Sequence, residues 1–189
     1  MRNIIYWVHT SVDGYICGPN GEFDWPSMSG ELSDYSIAMN ESVDTFLYGR
    51  KVWEMMSAYW PTADADPATA DAHDLAFASL WRATPKIVFS ATLDGDLGHN
   101  TRVIGRDLAA QVAELKAAPG KDMLLTGGSH LAASLTEHGL IDDYRIVVHP
   151  VVLGGGLPLF PTRFDERLNL RLVESRAFDG SAVLLRYQR

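Results

Sequence analysis

The sequence contains a single cysteine, Cys17, and this scarcity excludes two kinds of structural support. One thiol cannot form an intrachain disulfide, and it cannot supply the paired thiolates of a structural zinc site. The six histidines are scattered singly, without the His-Glu-x-x-His spacing of a catalytic zinc helix. We therefore predict no metal site, and a protein suited to the reducing cytoplasm.

Basic residues are also in short supply, because 16 Lys and Arg face 24 Asp and Glu, for a formal net charge of -8. A protein that follows a nucleic-acid backbone needs clustered basic residues to displace counterions, so we predict no nucleic-acid partner. No apolar run approaches the length of a membrane span. The N-terminus turns polar too soon for a signal peptide, and we predict no association with a membrane.

What is present is an alternation of β-rich and helical segments in a chain of 189 residues with 47% hydrophobic residues. This length favours one domain, 1–189. β-Branched runs such as NIIYWVH (3–9) predict buried strands, and DLAAQVAELKAAPG (107–120) predicts an amphipathic helix. The alternation indicates an α/β protein with a mixed, mainly parallel, twisted sheet between two helical layers. The end of the chain predicts an antiparallel C-terminal hairpin that turns at Asp179 and Gly180.

Glycines stand where two predicted strands give way to helices, in LYGRKVW (47–53) and in LLTGGSHL (124–131). Such junctions lie at the carboxyl ends of strands, where free amides at helix N-termini favour phosphate oxygens. Arg50 and Lys51 add positive charge to the first junction. Neither the G-x-G-x-x-G nor the G-x-x-x-x-G-K-[ST] pattern occurs. The residues alone thus leave two interpretations open, namely ordinary turns or a site for a phosphate-bearing ligand.

Four segments together resemble a known family: SVDGYICGPNGEFDW (11–25), LYGRKVWEMM (47–56), IVFSATL (87–93) and LLTGGSHLAASLTEHGLIDDYRIVVHPVVLGGGLPLF (124–160). Through them the chain resembles the dihydrofolate reductase-like superfamily, specifically the bacterial group named after the C-terminal reductase domain of riboflavin biosynthesis. The resemblance implies a three-layer α/β/α fold and NADPH as cofactor. It also implies hydride transfer to a pterin-like or ribosylaminopyrimidine ring, at a C=N bond or the imine of a ring-opened sugar.

The same resemblance assigns a set of NADPH-binding residues, in which the peptide between the two glycines of the second junction is expected to be cis. Arg50 and Ser90 would lie near the 2'-phosphate that distinguishes NADPH from NADH. The set consists of Val8, His9 and Ile16 on the nicotinamide side, Gly49, Arg50, Lys51, Val52 and Ser90 around the adenosine phosphates, and Thr126, Gly127, Gly128, Ser129, His130 and Leu131 at the diphosphate.

Candidate residues for catalysis and substrate binding lie before and within the first predicted helix, which Ser29 or Ser33 is expected to cap. Asp13 would bond the substrate or relay a proton through water, although an Asp-Gly turn is the alternative. Glu31 and Asp34 lie near the place where dihydrofolate reductases carry a catalytic carboxylate. We predict Asp13 and Glu31 as catalytic residues, and Asp13, Trp25 and Asp34 as substrate-binding residues, with Trp25 closing a flap over the substrate.

The sequence also departs from both known branches of the superfamily. Tyr15 stands where the riboflavin reductases typically carry a basic residue, and Gly30 falls near the place of the dihydrofolate reductase carboxylate. Two alternatives therefore stay open beside a reductase of a small heterocyclic substrate: a nucleotide-binding sensor or carrier without turnover, and a reductase of quinones or nitroaromatic compounds. We expect a homodimer with the C-terminal hairpin at its interface.

Overall fold

The β-branched segment at the start of the chain forms a buried strand, β1 (Ile4–Thr10), inside an eight-stranded sheet. In this computed structural model, which describes residues 1–28, 30–179 and 181–189, β1 has a parallel neighbour on each side. A strand paired on both edges and covered on both faces is expected to be apolar throughout, and β1 is buried along nearly its whole length.

The elements follow the predicted alternation of strands and helices. Among the described residues the strands are β1, β2 (Tyr15–Cys17), β3 (Val43–Gly49), β4 (Lys86–Phe89), β5 (Thr101–Ile104), β6 (Asp122–Thr126), β7 (Asp143–Val148), β8 (Leu157–Pro158), β9 (Arg171–Phe178) and β10 (Ala182–Gln188). The helices are α1 (Gly30–Glu41), α2 (Arg50–Tyr59), α3 (Ala72–Ala83), α4 (Leu108–Ala117) and α5 (Ser129–Glu137).

The main sheet has the strand order β5-β4-β3-β6-β1-β7-β10-β9. The first six strands in this order pair in parallel, whereas β10 pairs antiparallel with both β7 and β9. The predicted mixed sheet with an antiparallel C-terminal hairpin is therefore confirmed. Gly180, predicted in the hairpin turn, and Ser29, one of the two predicted helix caps, lie outside the described residues.

Alternate side chains of β1 enter the two hydrophobic cores on opposite faces of the sheet. Ile5 and Trp7 pack with apolar residues of α1, α2 and α3, whereas Ile4, Tyr6 and Val8 pack with those of α4 and α5. This alternation is the period of two that a strand imposes on its side chains. The result is the predicted three-layer α/β/α arrangement.

Two features of the fold were not predicted. The four-residue strand β5 pairs in parallel with β4 at the edge of the sheet, and it leads directly towards α4. Strand β7 ends at Val148, and the chain then returns as β8 to pair with β2. This small second sheet holds the loop after β1 against the glycine-rich segment, residues 153–156, which directly precedes β8.

Candidate cofactor and substrate cavity

A cavity of about 980 Å³ opens at the carboxyl ends of the parallel strands. Three strand-to-helix junctions reach it, from β3 to α2, from β5 to α4 and from β6 to α5. Open α/β sheets bind ligands at this edge, where the chain leaves each strand to start a helix. Every residue that the resemblance assigns to NADPH lines this cavity: Val8, His9, Ile16, Gly49, Arg50, Lys51, Val52, Ser90, Thr126, Gly127, Gly128, Ser129, His130 and Leu131.

The three helices that begin at these junctions share an unusual start. The N-cap residues are Gly49 for α2, Asp107 for α4 and Gly128 for α5, and in the described part of the chain none of them makes a side-chain capping hydrogen bond. The first amides of each helix are therefore left to water or to a ligand, and the helix dipole gives them a partial positive charge. Such a site suits phosphate groups.

The two glycines before α5 bring its backbone close to the cavity. Gly127 and Gly128 have φ values of 54° and 69°, the left-handed region that favours glycine. A Cβ atom on Gly128 would lie 3.4 Å from Cγ2 of Val52, which also lines the cavity. The predicted cis peptide is wrong, because the described residues contain no cis peptide bond. Two successive left-handed residues redirect the chain here, and Gly127 N–H donates to the carbonyl oxygen of Trp7 at 2.9 Å.

Ser129, the first residue of α5, presents a polar atom without a partner. Its side chain is only 1% exposed, and its Oγ finds no hydrogen-bond partner among the described residues. Burial of an unpaired hydroxyl is unfavourable, so such an atom points to a ligand or a water that completes it. Because Ser129 lines the cavity beside the two glycines, the residues present fit a diphosphate at this helix start.

Positive charge is concentrated at two of the three junctions. Arg50 begins α2, with Lys51 beside it, and Arg106 lies just before α4. The Arg50 guanidinium is 47% exposed and lies 3.5 Å from the carboxylate of Glu54, an exposed pair that is too weak to keep it from a phosphate. Arg106 was not predicted as a site residue, because the four-residue strand before it was not predicted. The signal was a Gly-Arg-Asp sequence immediately before a well-defined helix.

The cavity wall at the end of β1 contains a pair of histidines, of which His9 is half-buried and His149 is buried. His9 lines the wall, and its Nδ1 lies 2.8 Å from Nε2 of His149. Burial, aided by the neighbouring His149, lowers the pKa of His9 to about 3, and burial also lowers the pKa of His149. Both rings are therefore neutral at neutral pH, with one nitrogen of the close pair donating and the other accepting.

The opposite end of the cavity is walled by α1, α2 and α3. We call this end the inner compartment, and its lining residues are Met28, Ser36, Asn40, Met55, Met56, Trp60, His73 and Phe77. The Trp60 and Phe77 rings meet edge to face with centroids 4.5 Å apart. The compartment is thus built mainly from aromatic rings and flexible thioethers, which suit a flat apolar ligand. The compartment was not predicted from the sequence, because its residues come from three separate helices and the chain beside them.

The predicted catalytic and substrate-binding residues lie outside the cavity lining that the described residues form. Asp13 accepts the amides of Leu153 and Gly154 at 3.1 and 2.8 Å, and hydrogen bonds, first that from Ser11, hold its pKa below the ordinary value. This carboxylate ties the loop after β1 to the glycine-rich segment. Its role in catalysis stays a prediction.

The other three of these residues have contacts or exposure of their own outside the lining. Glu31 lies 3.3 Å from the guanidinium of Arg176 on β9, and Asp34 is exposed on α1. The ring of Trp25 packs edge to face on His149, with centroids 5.5 Å apart, and so covers one side of the histidine pair. The roles assigned to these residues likewise stay predictions.

The described residues contain no group of three or more His, Cys, Asp and Glu side chains placed to hold a metal ion. No helix in the described part of the chain is both long and apolar enough to cross a membrane.

Comparison with known proteins relates this architecture to a family of reductases. The RibD C-terminal domain family matches residues 2–184. The uncharacterized protein YyaP of Bacillus subtilis (strain 168) is 35% identical over 189 residues, which span 98% of this chain and 94% of YyaP. A putative riboflavin biosynthesis protein from Shewanella sp. PV-4 is 26% identical, with a TM-score of 0.77 over 100% of this chain and 99% of its own.

The fold extends to a more distant enzyme. The dihydrofolate reductase from Enterococcus faecalis, solved in complex with NADP(H) and RAB-propyl, has a TM-score of 0.62 over 100% of this chain and 96% of its own. At 15% identity this likeness shows the shared fold alone. It confirms the predicted dihydrofolate reductase-like architecture.

Proposed function

Because the chain belongs to the RibD C-terminal domain family, a family of reductase-like domains, we propose that it is an NADPH-dependent oxidoreductase of a small conjugated ring. One observation carries the proposal. A single cavity joins three uncapped helix N-termini, two of them beside basic residues, to a compartment lined by apolar side chains. A phosphate-rich cofactor and a flat ring would each find matching surroundings in it.

In this proposal the junction residues bind and orient the cofactor. The amides after Gly128 and the free Oγ of Ser129 hold the diphosphate, and the guanidiniums of Arg50 and Arg106 pair with the 2'-phosphate. When bound, NADPH supplies the hydride. The wall formed by Val8 and His9 at the end of β1 positions the nicotinamide towards the inner compartment, and this positioning is the protein's main contribution to the rate.

A proton must also reach the reduced ring. The predicted carboxylates, Asp13 and Glu31, do not line the cavity in the part of the chain that the structure describes, so each would act through water. His9 lies in the cavity wall itself, and its neutral ring donates or accepts through the partner His149. We propose that protons pass along these polar groups and water, whereas the apolar compartment keeps bulk water from the ring.

Titration of the protein with NADPH and with NADH, followed by cofactor fluorescence and thermal shift, tests the cofactor. We expect NADPH to bind at least about tenfold tighter than NADH, because two arginines can pair with its extra phosphate. Absence of binding to either nucleotide would refute the proposal. Tight NADPH binding without oxidation by any heterocycle or quinone would point instead to a nucleotide sensor or carrier.

We further propose that the protein works as a homodimer joined through the C-terminal hairpin. Strand β9 lies at the edge of the sheet, and Leu172, Val173 and Val183 on the hairpin are exposed apolar side chains. Edge strands that expose apolar side chains favour pairing with a second chain. Light scattering on the wild type and on Leu172→Lys tests this, since a dimer is expected only for the wild type.

A further inference from the structure

We propose that the inner compartment selects an uncharged, mainly apolar ring that presents one N–H or O–H group, and that it excludes rings carrying a phosphate or carboxylate. This inference rests on the proposed reductase function, because it defines the substrate class of the same site. It separates the protein from reductases whose substrates carry a phosphoribosyl group.

The distribution of charge along the cavity is the first argument. Arg50, Lys51, Arg106 and Asp107 are the Arg, Lys, Asp and Glu residues that line it, among the residues described, and all four lie at strand-to-helix junctions. Lys51, the cation of α2 nearest to the compartment in sequence, precedes Met55 by four positions and Trp60 by nine, or about 6 and 13 Å along a helix axis. A phosphate beside the Trp60 and Phe77 rings would lose its hydration without gaining a cation, and this loss is large.

The histidine of the compartment does not change this conclusion. His73 is 7% exposed, its Nδ1 lies 2.8 Å from Oγ of Ser33, and its ring stacks on Phe77 with centroids 5.6 Å apart. Burial lowers the pKa of His73, so the ring is neutral at neutral pH. It offers a hydrogen bond to a ligand but no charge.

Asn40 supplies the polar recognition. Its side chain is 4% exposed, and its Nδ2 donates to the carbonyl oxygen of Ser36 at 2.7 Å. Because that carbonyl can only accept, the orientation of the amide is settled. The Oδ1 atom is then left without a partner in the described part of the chain. An unpaired buried acceptor in a ligand cavity favours a ligand that donates one hydrogen bond.

The apolar walls define the remaining requirement. Met28, Met55 and Met56 line the compartment beside the Trp60 and Phe77 rings. Thioethers adapt to ligands of different outline, and aromatic edges pack well on flat rings. We therefore expect tolerance towards the shape of the ring and strict discrimination against charge.

A matched pair of unreactive probes tests this selectivity directly. 2-Naphthol is neutral and carries one O–H group, and 2-naphthol-6-sulfonate is the same ring with a permanent negative charge. Titrations of the full chain, followed by tryptophan fluorescence, are expected to give at least tenfold tighter binding of 2-naphthol. Equal affinity, tighter binding of the sulfonate or no binding of 2-naphthol would overturn the proposal.

Two substitutions place the selectivity in the compartment. Asn40→Leu is expected to weaken the binding of 2-naphthol about tenfold. The binding of 2-methylnaphthalene, which has no O–H group, should stay unchanged. Met56→Lys is expected to raise the affinity for the sulfonate at least tenfold, a gain that misfolding cannot produce. Leu75→Lys adds the same charge on the exposed side of α3, outside the cavity lining, and should not raise the affinity for the sulfonate. A Met56→Lys variant that resembled Leu75→Lys would contradict the proposal.

The outcome is separable from that of the reductase proposal. The probe titrations require no nucleotide, and NADPH binding is measured on the same preparations. Selective binding of 2-naphthol without NADPH binding would refute the reductase function alone. NADPH binding with no preference between the probes would refute only the assigned substrate class.

Discussion

His9 and His149 form a close pair, with Nδ1 of His9 lying 2.8 Å from Nε2 of His149. The pair joins the ends of neighbouring parallel strands, since His9 lies in β1 and His149 directly follows β7. The rings of Phe23 and Trp25 cover it from the side of the loop. Two imidazoles at this distance cannot both carry a proton on the facing nitrogens, so they cannot both be charged, and burial lowers the pKa of each.

The histidine pair should make the protein sensitive to mild acid. Because the folded pKa of His9 is about 3 and the ordinary value is 6.5, the unfolded chain binds a proton between these pH values and the folded chain does not. The free energy of unfolding therefore falls as the pH drops below 6.5, by up to about 1.4 kcal/mol per pH unit for this group. In urea denaturation between pH 7.5 and 5, the free energy of unfolding should fall less steeply for His9→Gln than for the wild type.

The exposed His138 provides the control for this experiment. For His138→Gln the free energy of unfolding should fall with pH as steeply as it does for the wild type. A His9→Gln variant with an unchanged decline would mean that His9 is protonated in the folded state.

Gly128→Ala should weaken NADPH binding at least tenfold while the protein still folds. The new Cβ would lie 3.4 Å from Cγ2 of Val52, another residue of the cavity lining, and so add bulk beside the backbone that the proposed diphosphate approaches. Because a residue with a Cβ atom disfavours the left-handed region, the substitution should also lower the free energy of unfolding by about 1 kcal/mol. Gly98→Ala is a matched control, since Gly98 has a φ of 66° and open space around it. In thermal melts Gly98→Ala should be destabilised about as much as Gly128→Ala, but its affinity for NADPH should equal that of the wild type. Equal losses of NADPH affinity in the two variants would contradict the proposed site.

Arg50→Ala and Arg106→Ala should each weaken NADPH binding more than NADH binding. Both guanidiniums line the cavity near helix starts, where the proposed 2'-phosphate lies. Removal of one charge-assisted contact is expected to raise the Kd for NADPH about tenfold. Arg102→Ala removes an exposed arginine of β5 that does not line the cavity, and it should change neither affinity. Equal losses for the two nucleotides would contradict the assigned contact.

Ser129→Ala should have opposite effects on stability and on binding. The buried Oγ has no partner among the described residues, so its removal should leave the melting temperature equal or higher. If the hydroxyl completes a diphosphate contact, NADPH should bind about fivefold weaker, as expected for loss of about 1 kcal/mol. A lower melting temperature with unchanged NADPH affinity would show that the hydroxyl serves the fold.

The alternation of elements and the residues around the two glycine-bearing junctions were predictable from the sequence. Their signals are local: β-branched runs, amphipathic periodicity and glycines at strand ends. Gly49, Gly127 and Gly128 were therefore placed correctly at the edge of the sheet where the cavity opens. The family match to residues 2–184 confirms the resemblance that those segments carried.

The tertiary structure alone decided which residues share the cavity. Strand β5 is four residues long and is defined by its pairing with β4, so its own residues did not predict a strand leading into α4. Asn40 and His73 are distant in sequence and line the same compartment because α1 packs against α3. Asp13 was predicted as a catalytic residue, a role that stays a prediction, and its hydrogen bond with the distant amide of Gly154 is a contact that no local pattern indicates. Local propensity determines the elements of this protein, whereas contacts between distant segments determine its candidate substrate site.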